Sequence, residues 1–231
     1  MQGKDAVVIG AVSEKGGSGK STFLANLAVA HALAGRRVTI LDTDTQETAS
    51  DWAALRQSWN VAQIPCYART GREVYPLIRE LAEECDLLLV DVGGRAEDRE
   101  KKVMIEVAMT LYAADHIFIP VNHSGAGLWT LKKMEQLIAY SKQKNARLKA
   151  FVLPALVSPQ LVEKDVATIG AFLEEYGLTG VFEPLENAFS FRRPYVHAHD
   201  QGLSVLETTD RDGRKAREEM EELFYEIQEK M

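Results

Sequence analysis

The segment Glu14-Lys15-Gly16-Gly17-Ser18-Gly19-Lys20-Ser21-Thr22 lies between an apolar run, Ala6–Val12, and a stretch in which Phe23, Leu24, Leu27, Ala28, Ala30 and Leu33 recur at helical spacing. A buried strand, a glycine turn and a helix in that order aim the helix N-terminus at an anion. The glycines let the backbone wrap a polyphosphate with its N–H groups inward. Lys20 is placed to reach the β- and γ-phosphates, and Ser21 to ligate Mg²⁺. Gly16, Gly17, Ser18, Gly19, Lys20, Ser21 and Thr22 are therefore the candidate nucleotide cradle. The usual loop begins with glycine, G-x-x-x-x-G-K-[ST], where this chain has Glu14. Lys15 has no role in the usual loop and narrows the function most.

Strand and helix patterns alternate after the loop. Strands are expected at Val38–Leu41, weakly at Val61–Ala68, at Asp86–Val90, His116–Val121 and Leu148–Val157, and at a short edge near Val181-Phe182. Helices are expected over Glu47–Ser58, Glu73–Cys85, Lys101–Ala113, Leu128–Gln143, Leu161–Tyr176 and Arg211–Lys230. This alternation predicts an α/β fold: a doubly wound, mostly parallel sheet with helices on both faces, as one domain over residues 1–231. In such sheets ligands sit outside the strand C-termini, where the glycine loop, Asp42, Asp44 and Asp91 all fall.

Asp91 ends an apolar strand, where a carboxylate can hold a Mg²⁺-bound water or cap a helix. Asp42 and Asp44 alternate across Thr43, so an extended segment turns both to one side. They read either as a divided pair serving metal and attacking water or as a solvated cap for the Glu47 helix.

These motifs resemble the deviant Walker A loop and its companion segments in the ParA/MinD family of ATPases. Ile40-Leu41-Asp42-Thr43-Asp44-Thr45-Gln46 is similar to the family's second motif, with Thr45 in place of its proline. Leu87–Asp91 is similar to its Walker B strand, followed here by Val92-Gly93-Gly94-Arg95 instead of a proline-containing turn. Ile117–Val121 resembles the next strand, with its Pro-Val end. Trp52, Tyr195-Val196 and Gly202-Leu203-Ser204-Val205-Leu206-Glu207 resemble the small ParF-type plasmid partition ATPases.

The resemblance implies an ATP hydrolase using ATP and Mg²⁺, with Lys15, Lys20 and Asp44 catalytic and Ser21, Asp42 and Asp91 around the metal. Lys15 would reach across a homodimer to the partner's nucleotide, and Asp44 would orient water. On the bland reading Lys15 is a solvated lysine. The resemblance further implies ATP-dependent dimerisation, non-specific DNA binding, and hydrolysis stimulated by a ParB-like or small centromere-binding adaptor. The alternatives are a metabolic amidoligase of the same fold, which generally lacks a lysine at the Lys15 position, and a membrane-cycling MinD-like regulator.

Composition bounds the partners. Net charge is −7, so DNA affinity must come from local clusters. Most basic residues read as solvated surface. Arg192 and Arg193 are the DNA-binding candidates, because Phe189, Phe191 and Tyr195 flank them. The last helix is acidic on its polar face, opposite to what an anionic membrane attracts. No apolar run approaches the ~20 residues of a span. Two cysteines, Cys66 and Cys85, form no C-x-x-C pair and suit a reduced compartment. The start of the chain leaves no room for a signal peptide or a helix-turn-helix extension. The expected location is cytoplasmic, on the nucleoid when ATP is bound.

Overall fold

The computed structural model describes residues 6–13, 16–93 and 100–231. Among them seven strands form one sheet: β1 (Val7–Ala11), β2 (Val38–Asp42), β3 (Cys66–Ala68), β4 (Leu87–Asp91), β5 (His116–Val121), β6 (Lys149–Pro154) and β7 (Glu183–Pro184). Their order is β3-β2-β4-β1-β5-β6-β7, and every pairing is parallel. The chain winds from β1 out to β3, returns to β4, then winds the other way through β7. The C-terminal end of β1, where the direction changes, is where such a sheet opens a ligand crevice.

The strands β2, β4 and β5 are buried along their whole length, which explains their continuous apolar runs. Helices α3 (Val74–Ala82), α4 (Glu100–Ala113), α5 (Gly125–Lys144) and α6 (Val162–Glu175) cover one face. On the other lie α1 (Lys20–Leu33), α2 (Thr48–Arg56), α7 (Arg193–His199) and α8 (Arg214–Lys230). Trp52, Phe23, Phe118, Phe151 and Phe189 fill this second core.

The expected alternation is present, with local corrections. The strand anticipated over 61–68 is only Cys66–Ala68. Ahead of it, Arg56 Nε donates to the Ala62 carbonyl, the Gln63 amide donates to the Val61 carbonyl, and Pro65 has no N–H. The backbone there bonds to side chains instead of a ladder. The edge strand lies at 183–184, because the amides of Val181 and Phe182 both turn back to the Leu178 carbonyl. Helix α7 has no counterpart among the expected elements, and the last helix starts at Arg214 rather than Arg211.

One buried polar network ties the two ends of the chain together. Asn26 on α1 donates to the Thr22 carbonyl, and its Oδ1 accepts from Ser204 Oγ at 2.7 Å and Val205 N at 3.0 Å. Arg56 on α2, with no exposed surface, donates to Glu207 at 2.6 and 2.8 Å and to the Gly202 carbonyl at 3.1 Å. Its guanidinium lies 5.1 Å from the Trp52 ring centre. Gly202 has φ +74°, and a Cβ there would lie 2.4 Å from Arg56 N, so only glycine fits against α2.

Candidate nucleotide site

The glycine loop leads from β1 into α1 at the switch of winding direction. Gly17 and Gly19 have φ of +70° and +85°, conformations that need no Cβ. Gly19 occupies the N-cap of α1 and supplies no side chain, so the first amides of the helix keep their capacity for an anion. Lys20 is the first residue of that helix and is 6% exposed. Burial pulls its ammonium pKa down, while the charges of Asp91 and Asp44 pull it back up. Lys15 lies outside the described residues, as do Gly94 and Arg95.

Asp91 ends β4 directly beside Asp42 at the end of β2. Thr43 fastens the two ends: its N and Oγ1 both donate to the Asp91 carbonyl, at 2.8 and 3.0 Å. The two carboxylates have different environments. Asp91 is 1% exposed and neither side-chain oxygen has a well-aligned hydrogen-bond partner. Burial pushes its pKa up to about 6, against the pull of Lys20 and the Ser21 hydroxyl. Asp42 is equally buried, yet its oxygens are occupied. Oδ1 accepts from Asp44 N at 3.0 Å, and Oδ2 from Ser50 N and Ser50 Oγ at 2.9 and 3.0 Å.

In this arrangement Asp42 caps the first turn of α2, and Asp91 is the more open of the two carboxylates. Among the described residues no acidic, histidine and cysteine groups close a complete metal site. Mg²⁺ takes one or two carboxylates and completes its shell with phosphate oxygens and water. Two orphaned oxygens beside a P-loop serine fit it.

Asp44 is half-buried, and its Oδ1 accepts from Gln46 N at 3.0 Å. Gly93 backs it: a Cβ there would meet Asp44 Cγ at 3.1 Å and Cα at 3.2 Å. Gly93, part of the departure from the family pattern after Asp91, thus gives Asp44 room. Glu47, just beyond, is left-handed at φ +53°. Thr45 and Glu47 border a groove that Asp42, Asp44, Arg69 and Arg72 also line. On the other side of the loop Gly16, Gly17 and Ser18 share a cleft with Asn122, Thr130 and Leu156. Leu156, the other left-handed non-glycine among the described residues, donates its amide to the Phe189 carbonyl. Residues 189–191 are thereby drawn to the loop. Asn122 and Gly93 are absent from the sequence-derived candidates; the only signal was their place just after strand C-termini.

The DNA-binding candidates separate. Arg192 Nε donates to Glu219 Oε2 at 2.9 Å, and Glu219 also accepts from Ser190 N and Tyr195 Oη. Arg192 is a tie between α7 and α8 whose charge is already matched. Arg193 is exposed at the start of α7. Among the described residues no helix is long and apolar enough to cross a membrane.

Residues 9–178 match the family model described as the CobQ/CobB/MinD/ParA nucleotide binding domain. No curated protein matches the chain. Among solved structures it is similar to an ATP complex of a variant McdA from Cyanothece, at 16% identity and TM-score 0.66, covering 97% of each chain. It is also similar to MinD in the MinC:MinD cell division complex of Aquifex aeolicus, at 18% and 0.65, covering 94% of this chain and 95% of that one. The pNOB8 ParA bound to nonspecific DNA matches at 14% and 0.62, over 98% and 100%. At these identities the structures establish the shared fold.

Proposed function

The chain belongs to the CobQ/CobB/MinD/ParA nucleotide-binding family, whose ParA and MinD members are ATPases, and from that premise we propose that it is a ParA-type ATPase that positions DNA or a large cargo. ATP drives a sandwich dimer that holds DNA without reading sequence, and a ParB-like or small centromere-binding adaptor stimulates hydrolysis and resets it. The observation that carries the ATPase reading is the pairing of a buried Lys20 at a helix N-terminus with a buried Asp91 whose two oxygens lack well-aligned partners.

In this reading the loop amides and Lys20 hold the β- and γ-phosphates and offset their charge. Ser21 and Asp91, with Asp42 beside them, would hold Mg²⁺, which would supply charge to offset that of the phosphates. Asp44, kept in place by Gly93 and the Gln46 amide, orients the attacking water. Lys15 contributes its charge in trans, where two facing triphosphates would otherwise repel. The nonspecific-DNA complex of pNOB8 ParA supports the DNA arm of the proposal.

Two variants test it by ATP titration and phosphate release. Lys20→Ala is expected to lose nucleotide binding, and Asp44→Ala to bind ATP but turn over slowly. Wild-type affinity in the first, or wild-type turnover in the second, refutes the assignment of that residue.

A further inference from the structure

The carboxylate of Asp42 joins three pieces of chain: the end of β2, the 43–47 loop and the first turn of α2. The loop is held through Asp44 N on Oδ1, and the helix through both donors of Ser50 on Oδ2. The N-cap residue of α2, Glu47, makes no side-chain cap bond and is left-handed. The helix is therefore capped from the strand, across the loop that carries Asp44. Ser50 gives Asp42 two of these three bonds.

A third residue meets the Ser50 hydroxyl. Cys66 on β3 pairs in register with Ile40, and its Sγ lies 3.7 Å from Ser50 Oγ. Ser50 has one proton, and the bond to an anionic carboxylate is the stronger use of it. The thiol is then the donor to Ser50 Oγ, giving a chain from Cys66 through Ser50 to Asp42. Burial pushes the Cys66 thiol up to about 12, so it keeps the proton that this chain needs.

We propose that Ser50 is a positioning residue for ATP hydrolysis: it fixes Asp42, and Asp42 fixes the backbone of Asp44, the water-orienting residue. This rests on the ATPase reading above. Neither Ser50 nor Cys66 touches the nucleotide in this scheme, and neither is drawn into the reaction.

Ser50→Ala and Ser50→Thr decide between positioning and mere capping. A charge-assisted hydrogen bond of about 1.5 kcal/mol corresponds to about tenfold. Ser50→Ala is therefore expected to lower ATP turnover about tenfold, with affinity for a fluorescent ADP unchanged. Ser50→Thr keeps the hydroxyl and is expected to restore turnover. Amide exchange in the peptide spanning 43–51 gives a readout independent of activity, and is expected to accelerate in Ser50→Ala only. Turnover in Ser50→Ala equal to that of an active wild type overturns the positioning role. A parallel loss of turnover, ADP affinity and urea midpoint, unrelieved by threonine, also overturns it by reducing Ser50 to a helix cap. A wild-type protein without turnover under any condition overturns the ATPase reading itself.

Discussion

Glu207→Ala removes the carboxylate that faces Arg56, and its cost follows from what is left behind. The guanidinium has no exposed surface, and the Glu207 side chain is 9% exposed, so water cannot replace the lost oxygens without opening the structure. Nη2 loses its 2.6 Å bond to Glu207, and Nη1 keeps only the Gly202 carbonyl. Ser204 N also loses Glu207 Oε2, one half of the capping box on the short 205–207 turn. Breaking one side of a buried pair typically costs about 3–5 kcal/mol. That is a large share of the roughly 5–15 kcal/mol that holds a domain folded. At about 2–4 °C per kcal/mol for a chain of this size, the melting temperature should fall by about 10 °C. Urea titration followed by the fluorescence of Trp52 and Trp59 measures the change, since Trp52 packs against the guanidinium and Trp59 donates to the Gln201 carbonyl. Arg56→Met with Glu207→Leu should lose less than the two single changes summed, because the double change leaves no orphaned charge. A loss under about 1 kcal/mol for Glu207→Ala, or strictly additive single changes, would show that the pair is solvated and that the reasoning fails.

Asp91→Asn should raise the stability of the nucleotide-free protein at pH 7.5 and do so much less at pH 4. A carboxyl held near 6 in the fold and near 3.8 unfolded stabilises fully below the unfolded value and loses that contribution as pH rises through about 6. The difference is at most about 3 kcal/mol, and equal urea midpoints at pH 7.5 would contradict it. The same variant should weaken Mg²⁺-dependent ATP binding, read by titrating Mg²⁺ at fixed ATP. Arg192→Ala should act on stability, by about 1–3 kcal/mol, by leaving Glu219 Oε2 without its cation, whereas Arg193→Ala should leave stability intact and reduce DNA affinity and its salt slope. Filter binding on random duplex at several salt concentrations separates them, and identical slopes for wild type and Arg193→Ala would remove Arg193 from the DNA surface. Lys15→Ala should retain nucleotide binding but lose ATP-dependent dimerisation, as light scattering with a slowly hydrolysed analogue would report; a stable dimer reduces Lys15 to a surface residue.

The parallel sheet is legible in the sequence because each inner strand is a short apolar run between breaks, and each helix carries a periodic face. The glycine loop is legible because its chemistry needs neighbours in sequence only. What escapes depends on distant pairings. Asp42 and Asp44 alternate in sequence, but the chain leaves the strand at Thr43 and turns left-handed at Glu47, so Asp42 faces α2. Arg192 looks like half of a basic-aromatic patch until α8 brings Glu219 to it. The helix α7 is short, and its one local sign is Pro194 in the first turn. Arg56 with Glu207 and Asn26 with Ser204 are separated by most of the chain, and no spacing rule joins them.

The core that covers α1 has a consequence for synthesis. Phe23, Leu24 and Leu27 pack in one cluster with Leu185, Phe189, Met220, Leu223 and Ile227. The nucleotide loop and its helix leave the ribosome early in the synthesis of this domain, yet the residues that cover one side of that helix follow about 160–200 residues later. At about 5–20 residues per second, that delay is about 10–40 s. During it the side of α1 that those residues cover is open to water, to a chaperone or to another nascent chain, and Asn26 lacks the Ser204 and Val205 donors. The segment 9–178, although it spans the whole family match, ends before that cover exists. A ribosome stalled after residue 178 should therefore present a chain that binds nucleotide poorly and is readily cleaved by protease, and release of the remaining residues should restore both properties together.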